Sequence, residues 1–516
     1  MARHPNPYHN GVVGAGTERR RPTAYGLALV GLFAVRPFVA FAQHNHGQIT
    51  QWGRLAAYAA LAAVVSMGAL ALVVRRRGRD DPDRLAVVVA AVVASFLGYS
   101  SLFDPEPTQA SRLVVSLVLW AVLTGALIRA AQLIGEHVQA RFAVLVFVAV
   151  LVALPAIELG TDVRSEDPSV KVLGSQTLPP SAERPNVYWI VLDSYARPDI
   201  LQGVAGIDVD PFVEELEDQG FTVSTSSRTS YNRTILSLAS TLEMQYVLKP
   251  GHAVTDEFEL FAPVVVGRSS TTAHFEALGY QTAYGPAGGV EWSACRPDLV
   301  DACLPLRRPS PHTGELEQAL LDLTPLGTIS LPVPYSDPQT LIEGLADPDL
   351  GIEAPFFAYQ HILTPHAPYR YRDDCSPRAV PQEQSSPTQQ RAGYATQVRC
   401  ISQLVLRAIP EIVERDPTAI ILIQSDHGPE ASFRWFDSST NWPVDQAHAR
   451  FAAFNAMRLP SRCQQYVEGA ALVNTFRIVF ACIEGRDPDL LDYRAFAYPL
   501  KDADGLVELT PAQLGE

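Results

Sequence analysis

Five apolar stretches, residues 24–42, 55–74, 85–103, 113–134 and 142–159, occupy most of the first third of this 516-residue chain. Each is about 20 residues long, the length a helix needs to cross a hydrocarbon core of roughly 30 Å. A chain so built is committed to a membrane over that region. Arginines set its orientation: Arg19, Arg20 and Arg21 precede the first stretch, Arg75, Arg76, Arg77, Arg79 and Arg84 follow the second, and Arg141 opens the fifth. The alternate loops, 44–51 and 104–109, carry no Lys or Arg. By the positive-inside rule the N-terminus, residues 1–22, is cytoplasmic, and an odd number of crossings in 23–159 delivers the rest outside. Arg36 and Pro37 interrupt the first stretch, so a cleaved signal peptide ending at Ala40-Phe41-Ala42 is the alternative there; cleavage leaves the same topology.

The remaining two-thirds differs in kind. All six cysteines (295, 303, 375, 400, 463 and 482) fall there. An even set with no Cys-x-x-Cys spacing implies disulfides in an oxidising compartment, with nearest-neighbour pairing the simplest pattern. The net charge of −15 excludes nucleic acid as a natural partner. Residues 160–185 are polar and Pro-containing, the signature of a linker. From 186 to 484, fully apolar β-rich runs (187–192, VYWIVL; 419–424, AIILIQ) alternate with helical patterns (211–219, 394–415), and 221–225 and 355–360 read as further strands. This predicts an α/β domain with a mainly parallel central sheet covered by helices on both sides. Residues 285–349 read as loops or a lid, and 485–516 as a peripheral tail.

Ligands of an open parallel sheet bind outside the carboxyl ends of its strands. Four segments place chemistry-bearing residues there: Asp193 after 187–192; Ser425-Asp426-His427-Gly428 after 419–424; His361 and His366 after 355–360; and Tyr231-Asn232-Arg233-Thr234 before an apolar helix. Asp193, Asp426 and His427 form a donor set suited to one Zn²⁺ or Mn²⁺. Thr234 at a helix N-terminus, activated by that metal, would be a competent nucleophile. His361 and His366 could hold anion oxygens or protonate a leaving group, and Arg233 could balance charge. Each residue has a plainer reading as well: a turn or cap for Asp193, an N-cap for Thr234, a glycosylation acceptor in Asn232-Arg233-Thr234, a surface turn for His366.

The runs NVYWIVLDSYAR (186–197), SYNRTILSLASTL (230–242), FAYQHILTPHAPY (357–369), IILIQSDHGP (420–429) and RFAAFNAMRLP (450–460) resemble membrane-anchored sulfatase-like proteins of the alkaline phosphatase superfamily. That group includes lipoteichoic acid synthases and the phosphoethanolamine transferases of lipid A. The resemblance implies Asp193, Thr234, Asp426 and His427 as metal ligands, Thr234 as covalent nucleophile, chosen over Thr229 and Ser230 for its Thr-x-x-Ser pattern with Ser237, and His361 and His366 as contacts to the transferred group. The sulfatase nucleophile motif, Cys or Ser followed by x-Pro-x-Arg, is absent; Ser194 replaces a second Asp, Asp193 replaces a transferase Glu, and Pro429 replaces a Glu. The implied activity is transfer of a phosphoryl-linked headgroup from a membrane lipid donor to an envelope glycan or lipid acceptor. A hydrolase with water as acceptor and a non-catalytic lipid sensor are the alternatives.

Overall fold

The computed structural model describes residues 21–46, 49, 52–77, 80–103, 110–162, 184–248, 257–285, 291–305, 315–328, 337–382, 386–429, 442–498 and 505–515. The cytoplasmic N-terminus expected over 1–22 and the linker expected over 160–185 lie almost wholly outside them. The chain divides into two compact units.

The first unit is helical: α1 (Ala24–His44), α2 (Trp52–Arg76), α3 (Pro82–Leu97), α4 (Ala110–Ile134) and α5 (Val138–Asp162). Four of these, all but α3, are long and apolar enough to cross a membrane. The remaining expected span, 85–103, also forms a helix, a shorter one of 16 residues, about 24 Å at 1.5 Å per residue. It stops at Gly98, where a Cβ would meet the Ala94 carbonyl at 2.7 Å. Asp81 caps its start by accepting from the Asp83 amide. Leu85, Ala86, Val87 and Ala90 of α3 bury in a common cluster with Leu29 and Val30 of α1. Segment 321–329 also belongs to this unit, and the Tyr99 amide donates to the Leu323 carbonyl at 3.0 Å.

The second unit is the α/β domain. Its strands are β1 (Val187–Leu192), β2 (Thr222–Val223), β3 (Gln281–Tyr284), β4 (Ala302–Cys303), β5 (Phe356–Ile362), β6 (Tyr369–Tyr371), β7 (Pro377–Gln382), β8 (Ile420–Gln424), β9 (Asn455–Arg458), β10 (Ala495–Ala497) and β11 (Val507–Leu509). The central sheet runs β2-β9-β8-β1-β5-β3-β4. β8, β1, β5, β3 and β4 are parallel, while β9 is antiparallel to both its neighbours. Every residue of β1, β5 and β8 is buried, as continuous apolar runs between two helical layers require. One layer includes α6 (Pro198–Ala205), α7 (Asp210–Asp218), α12 (Pro338–Leu345) and α13 (Pro387–Arg415); the other includes α8 (Thr234–Glu243), α10 (Ser270–Ala277) and α15 (Thr475–Glu484). Chain order between these is completed by α9 (Glu257–Val265), α11 (Glu315–Asp322) and α14 (Val444–Phe451).

Two sequence expectations are corrected. Residues 285–349 are not all loop, because α12 buries Leu341, Ile342 and Leu345 in the core. Residues after Glu484 are not a peripheral tail: β10 pairs with β11, and Ala495, Ala497, Leu509 and Leu514 bury against Trp442, Ala447 and Phe451. Short strands separated by polar residues leave too little periodicity to be read. The disulfides join Cys295 to Cys303, Cys375 to Cys400 and Cys463 to Cys482, the nearest-neighbour pattern.

Phe357 of β5 stacks on Phe275 at 4.5 Å and meets Phe476 edge-on at 5.4 Å, with no exposed surface. Phe357→Ala is expected to lower unfolding stability by about 3–5 kcal/mol, measured by denaturant titration with tryptophan fluorescence.

Candidate active site

β1 and β8 are adjacent and parallel, with Val191 opposite Gln424, so the residues following them leave the sheet at one edge. Asp193 and the pair Asp426-His427 therefore meet. One ligand atom from each lies within 4.8 Å of the others, and all three residues are buried. Asp426 Oδ2 is 3.0 Å from His427 Nε2, and Asp193 Oδ1 is 3.9 Å from it. Neither carboxylate oxygen has a hydrogen-bond partner.

The tautomer of His427 sharpens this. Its Nδ1 lies 2.9 Å from the Gly428 carbonyl, which can only accept, so Nδ1 carries a proton and Nε2 is the atom aimed at the carboxylates. A lone pair on Nε2 would face carboxylate oxygens, with the Thr234 hydroxyl the nearby group able to donate to it. Burial alone would raise the pKa of Asp426; His427, His361 and the Ser194 amide, which donates to Oδ1 at 3.0 Å, overcome it and hold the carboxyl well below its usual range. Two buried carboxylates and one imidazole nitrogen with unsatisfied acceptor atoms converging on one point fit a divalent cation.

Thr234 opens α8, its neighbour Arg233 being the extended N-cap. Its Oγ1 lies 3.0 Å from His427 Nε2, and the residue is half-buried. Thr229 and Ser230 are both fully buried, and Thr229 is bonded to Ser237 at 2.6 Å. Ser237 in turn donates to the Asp426 carbonyl at 2.6 Å, which gives the Thr-x-x-Ser spacing a physical sense: one helical turn ties the nucleophile helix to the strand end. The Asn232 side chain has no exposed surface and is bonded to the Tyr498 backbone, so the sequon is not a surface acceptor.

His361 is buried with its Nε2 3.4 Å from Asp193 Oδ2, and neither ring nitrogen makes a hydrogen bond. Trp292 packs on its ring at 5.9 Å between centroids. His366 reaches the site by its backbone, its amide donating to the Asp193 carbonyl at 3.2 Å, while its Nδ1 meets the Ala367 carbonyl. Arg233 lies over the Tyr498 ring at 5.2 Å.

Three contributors were assigned no role from sequence. Ser194 sits at φ 66°, strained for a residue with a Cβ, and so brings its amide to Asp426 and its Oγ to 3.2 Å from His427 Nδ1. Arg450, 1 % exposed, donates from Nε and Nη2 to the Asn232 carbonyl and from Nη1 to the Gly428 carbonyl. Its own carbonyl accepts from the Gly428 amide at 2.8 Å. Gly428 is the third, because a Cβ there would meet the Ala449 carbonyl at 1.8 Å. Glycine after Asp-His was legible as a motif; Arg450 lies within a run matched by the resemblance but in a helix that sequence gives no reason to place here.

The Sulfatase family model matches residues 185–449, just over half of the chain. The chain belongs to the Sulfatase family. Sulfatase-family membership accounts for the α/β core and makes the protein a sulfatase-like enzyme of the alkaline phosphatase superfamily. No curated protein matches the chain in sequence. Among solved structures, the periplasmic domain of EcEptC from Escherichia coli is similar at 15% identity and TM-score 0.41, covering 66% of this chain and 96% of that one. The integral membrane lipooligosaccharide phosphoethanolamine transferase A from Neisseria meningitidis is similar at 12% identity and TM-score 0.41, covering 90% of this chain and 96% of that one. The phosphonate monoester hydrolase of Agrobacterium radiobacter matches at 15% identity and TM-score 0.36, covering 61% and 80%.

Gly428→Ala is expected to displace His427 and weaken Zn²⁺ or Mn²⁺ binding by about 10–100-fold, the usual cost of losing a group that orients a metal ligand. Competition titration against a chelating dye measures it.

Proposed function

We propose that this protein is a metal-dependent transferase. It would take a phosphoryl-linked headgroup from a membrane lipid, hold it covalently on Thr234, and pass it to an envelope glycan or lipid. The observation that carries the reading is the half-buried Thr234 hydroxyl 3.0 Å from the same His427 Nε2 that faces two unsatisfied carboxylate oxygens. Asp193, Asp426, His427 and Thr234 would hold one Zn²⁺ or Mn²⁺. Such an ion, when bound, supplies Lewis acidity that lowers the pKa of the threonine hydroxyl and neutralises developing charge.

The chain's residues supply the rest. Thr234 Oγ1 gives its proton to solvent and bonds to phosphorus, the ester bond to the lipid oxygen breaks, and His361 gives that oxygen a proton. The acceptor hydroxyl then attacks phosphorus and returns its proton to His361, the bond from phosphorus to Thr234 Oγ1 breaks, and Oγ1 takes a proton back from solvent. His366, held on the Asp193 carbonyl through its amide, would contact the phosphoryl oxygens. The amides of the first turn of α8 favour the negative charge that accumulates beside Thr234. Absence of the Cys/Ser-x-Pro-x-Arg motif argues against formylglycine-dependent sulfate ester hydrolysis.

The four membrane-capable helices supply a setting in which a lipid donor is concentrated beside the enzyme. We place the domain 186–484 outside the cytoplasmic membrane, joined through 160–185 to the bundle 23–159. Three disulfides among the described residues support an oxidising compartment, and the arginine-rich flanks of the N-terminal helices support a cytoplasmic N-terminus.

Thr234→Ala is expected to abolish turnover while still binding metal through Asp193, Asp426 and His427, so that elemental analysis of protein saturated with Zn²⁺ or Mn²⁺ still finds one ion per chain. Mass spectrometry of wild-type protein incubated with labelled phosphatidylethanolamine or phosphatidylglycerol should find a headgroup adduct on the peptide carrying Thr234. Full activity in Thr234→Ala would refute the covalent role; free headgroup with no acceptor product would assign the site to a hydrolase.

A further inference from the structure

The residues after Glu484 converge on the loop that presents Thr234. The Phe496 amide donates to the Ser230 carbonyl at 2.8 Å. Tyr231 stacks on the Phe496 ring at 5.3 Å. Asn232 Oδ1 accepts from the Tyr498 amide at 2.9 Å and its Nδ2 donates to the Tyr498 carbonyl at 3.4 Å. Arg233 lies over the Tyr498 ring, and Arg228 over the Tyr493 ring at 4.0 Å. Four successive residues before the nucleophile are thus gripped by a strand more than 260 residues later in the chain.

That strand is itself anchored. β10 pairs with β11, and Leu514 buries against the cluster formed with Ala447 and Phe451 of α14. His448 of α14 donates from Nδ1 to the Leu514 carbonyl at 2.9 Å and accepts at Nε2 from Arg197 at 3.2 Å. The same helix carries Arg450, which joins the Asn232 carbonyl to the Gly428 carbonyl. One helix therefore holds the loop from two sides, through its guanidinium directly and through the C-terminal strand it anchors.

We propose that the C-terminal segment, through Phe496, Tyr498 and Leu514, is a positioning arm of the active site that fixes the 228–233 loop and so sets the approach of Thr234 to the metal ligands. This rests on the covalent role proposed for Thr234. Between β2 and α8 the loop forms no strand ladder, only isolated bridges to Ala471 and Phe496 and single backbone bonds such as the Thr229 amide to the Phe451 carbonyl, so each contact from elsewhere counts in fixing it, and a misplacement of about 1 Å at a reacting group costs roughly 100-fold in rate.

Asn232→Ala, in full-length metal-loaded protein, cuts the bond to Tyr498 without touching a ligand. Metal content and affinity are expected to stay at wild-type values and KM within about threefold, while kcat and the rate of adduct formation on Thr234 fall about 100-fold. Amide exchange should quicken at 229–233 and stay unchanged in β1 and β8. Asn232→Asp, which keeps the acceptor for the Tyr498 amide, should recover most of the rate. Wild-type adduct kinetics in Asn232→Ala, or faster exchange spread across β1 and β8, would overturn the arm. The exchange readout is independent of chemistry at Thr234, so an active Thr234→Ala would sink the covalent reading and leave the arm to be judged by exchange alone.

Discussion

Two carboxylates and an imidazole are brought together at the end of a buried parallel sheet, and the need to satisfy that confined charge is the constraint on which the site depends. Asp193 and Asp426 follow neighbouring strands whose every residue is sealed between helices. Their inner oxygens are buried, and negative charge confined there is costly unless a positive group faces it. β9, antiparallel beside β8, extends the support: Gln424 donates to Asn455 and Thr475 and accepts from Trp189.

Around the site the ligands are held by backbone rather than by flexible side chains. Ser194 turns through a strained conformation so that its amide faces Asp426, Gly428 lets α14 approach within the space a Cβ would fill, and Arg450 clasps both the strand end and the nucleophile loop. A fully buried arginine is costly unless its donors are used, and here they bridge two carbonyls that flank the reacting groups. Such rigidity holds the Thr234 hydroxyl at a fixed distance from His427.

Much of this was legible in the chain. The runs 187–192 and 419–424 are apolar without alternation, which only a strand buried on both faces tolerates, and β1 and β8 occupy them almost residue for residue. The Asp-His-Gly triplet pointed to two polar side chains at a strand end and a tight turn, and Asp426 and His427 meet Asp193 there. Thr234 and His361 were named for their places at helix start and strand end, and the structure brings both within reach of Asp193 or His427. The role of Arg233 was not legible, since its partner Tyr498 lies in a segment that showed no pattern. The length of α3 was missed because apolar composition continues past Gly98, where the helix ends.

Sequence by itself determined which residues are compelled into lipid, which runs must be buried strands, and which polar groups sit at their carboxyl ends, because periodicity and hydropathy are local properties. Strand order was decided only by the tertiary structure: that β1 lies between β8 and β5, and hence that Asp193, Asp426, His427 and His361 share one edge. The grip of α14 and the C-terminal strand on the Thr234 loop was decided there too. Contacts between residues hundreds of positions apart leave no trace in local pattern; they arise when the closed core leaves each segment one place to satisfy its backbone donors and acceptors.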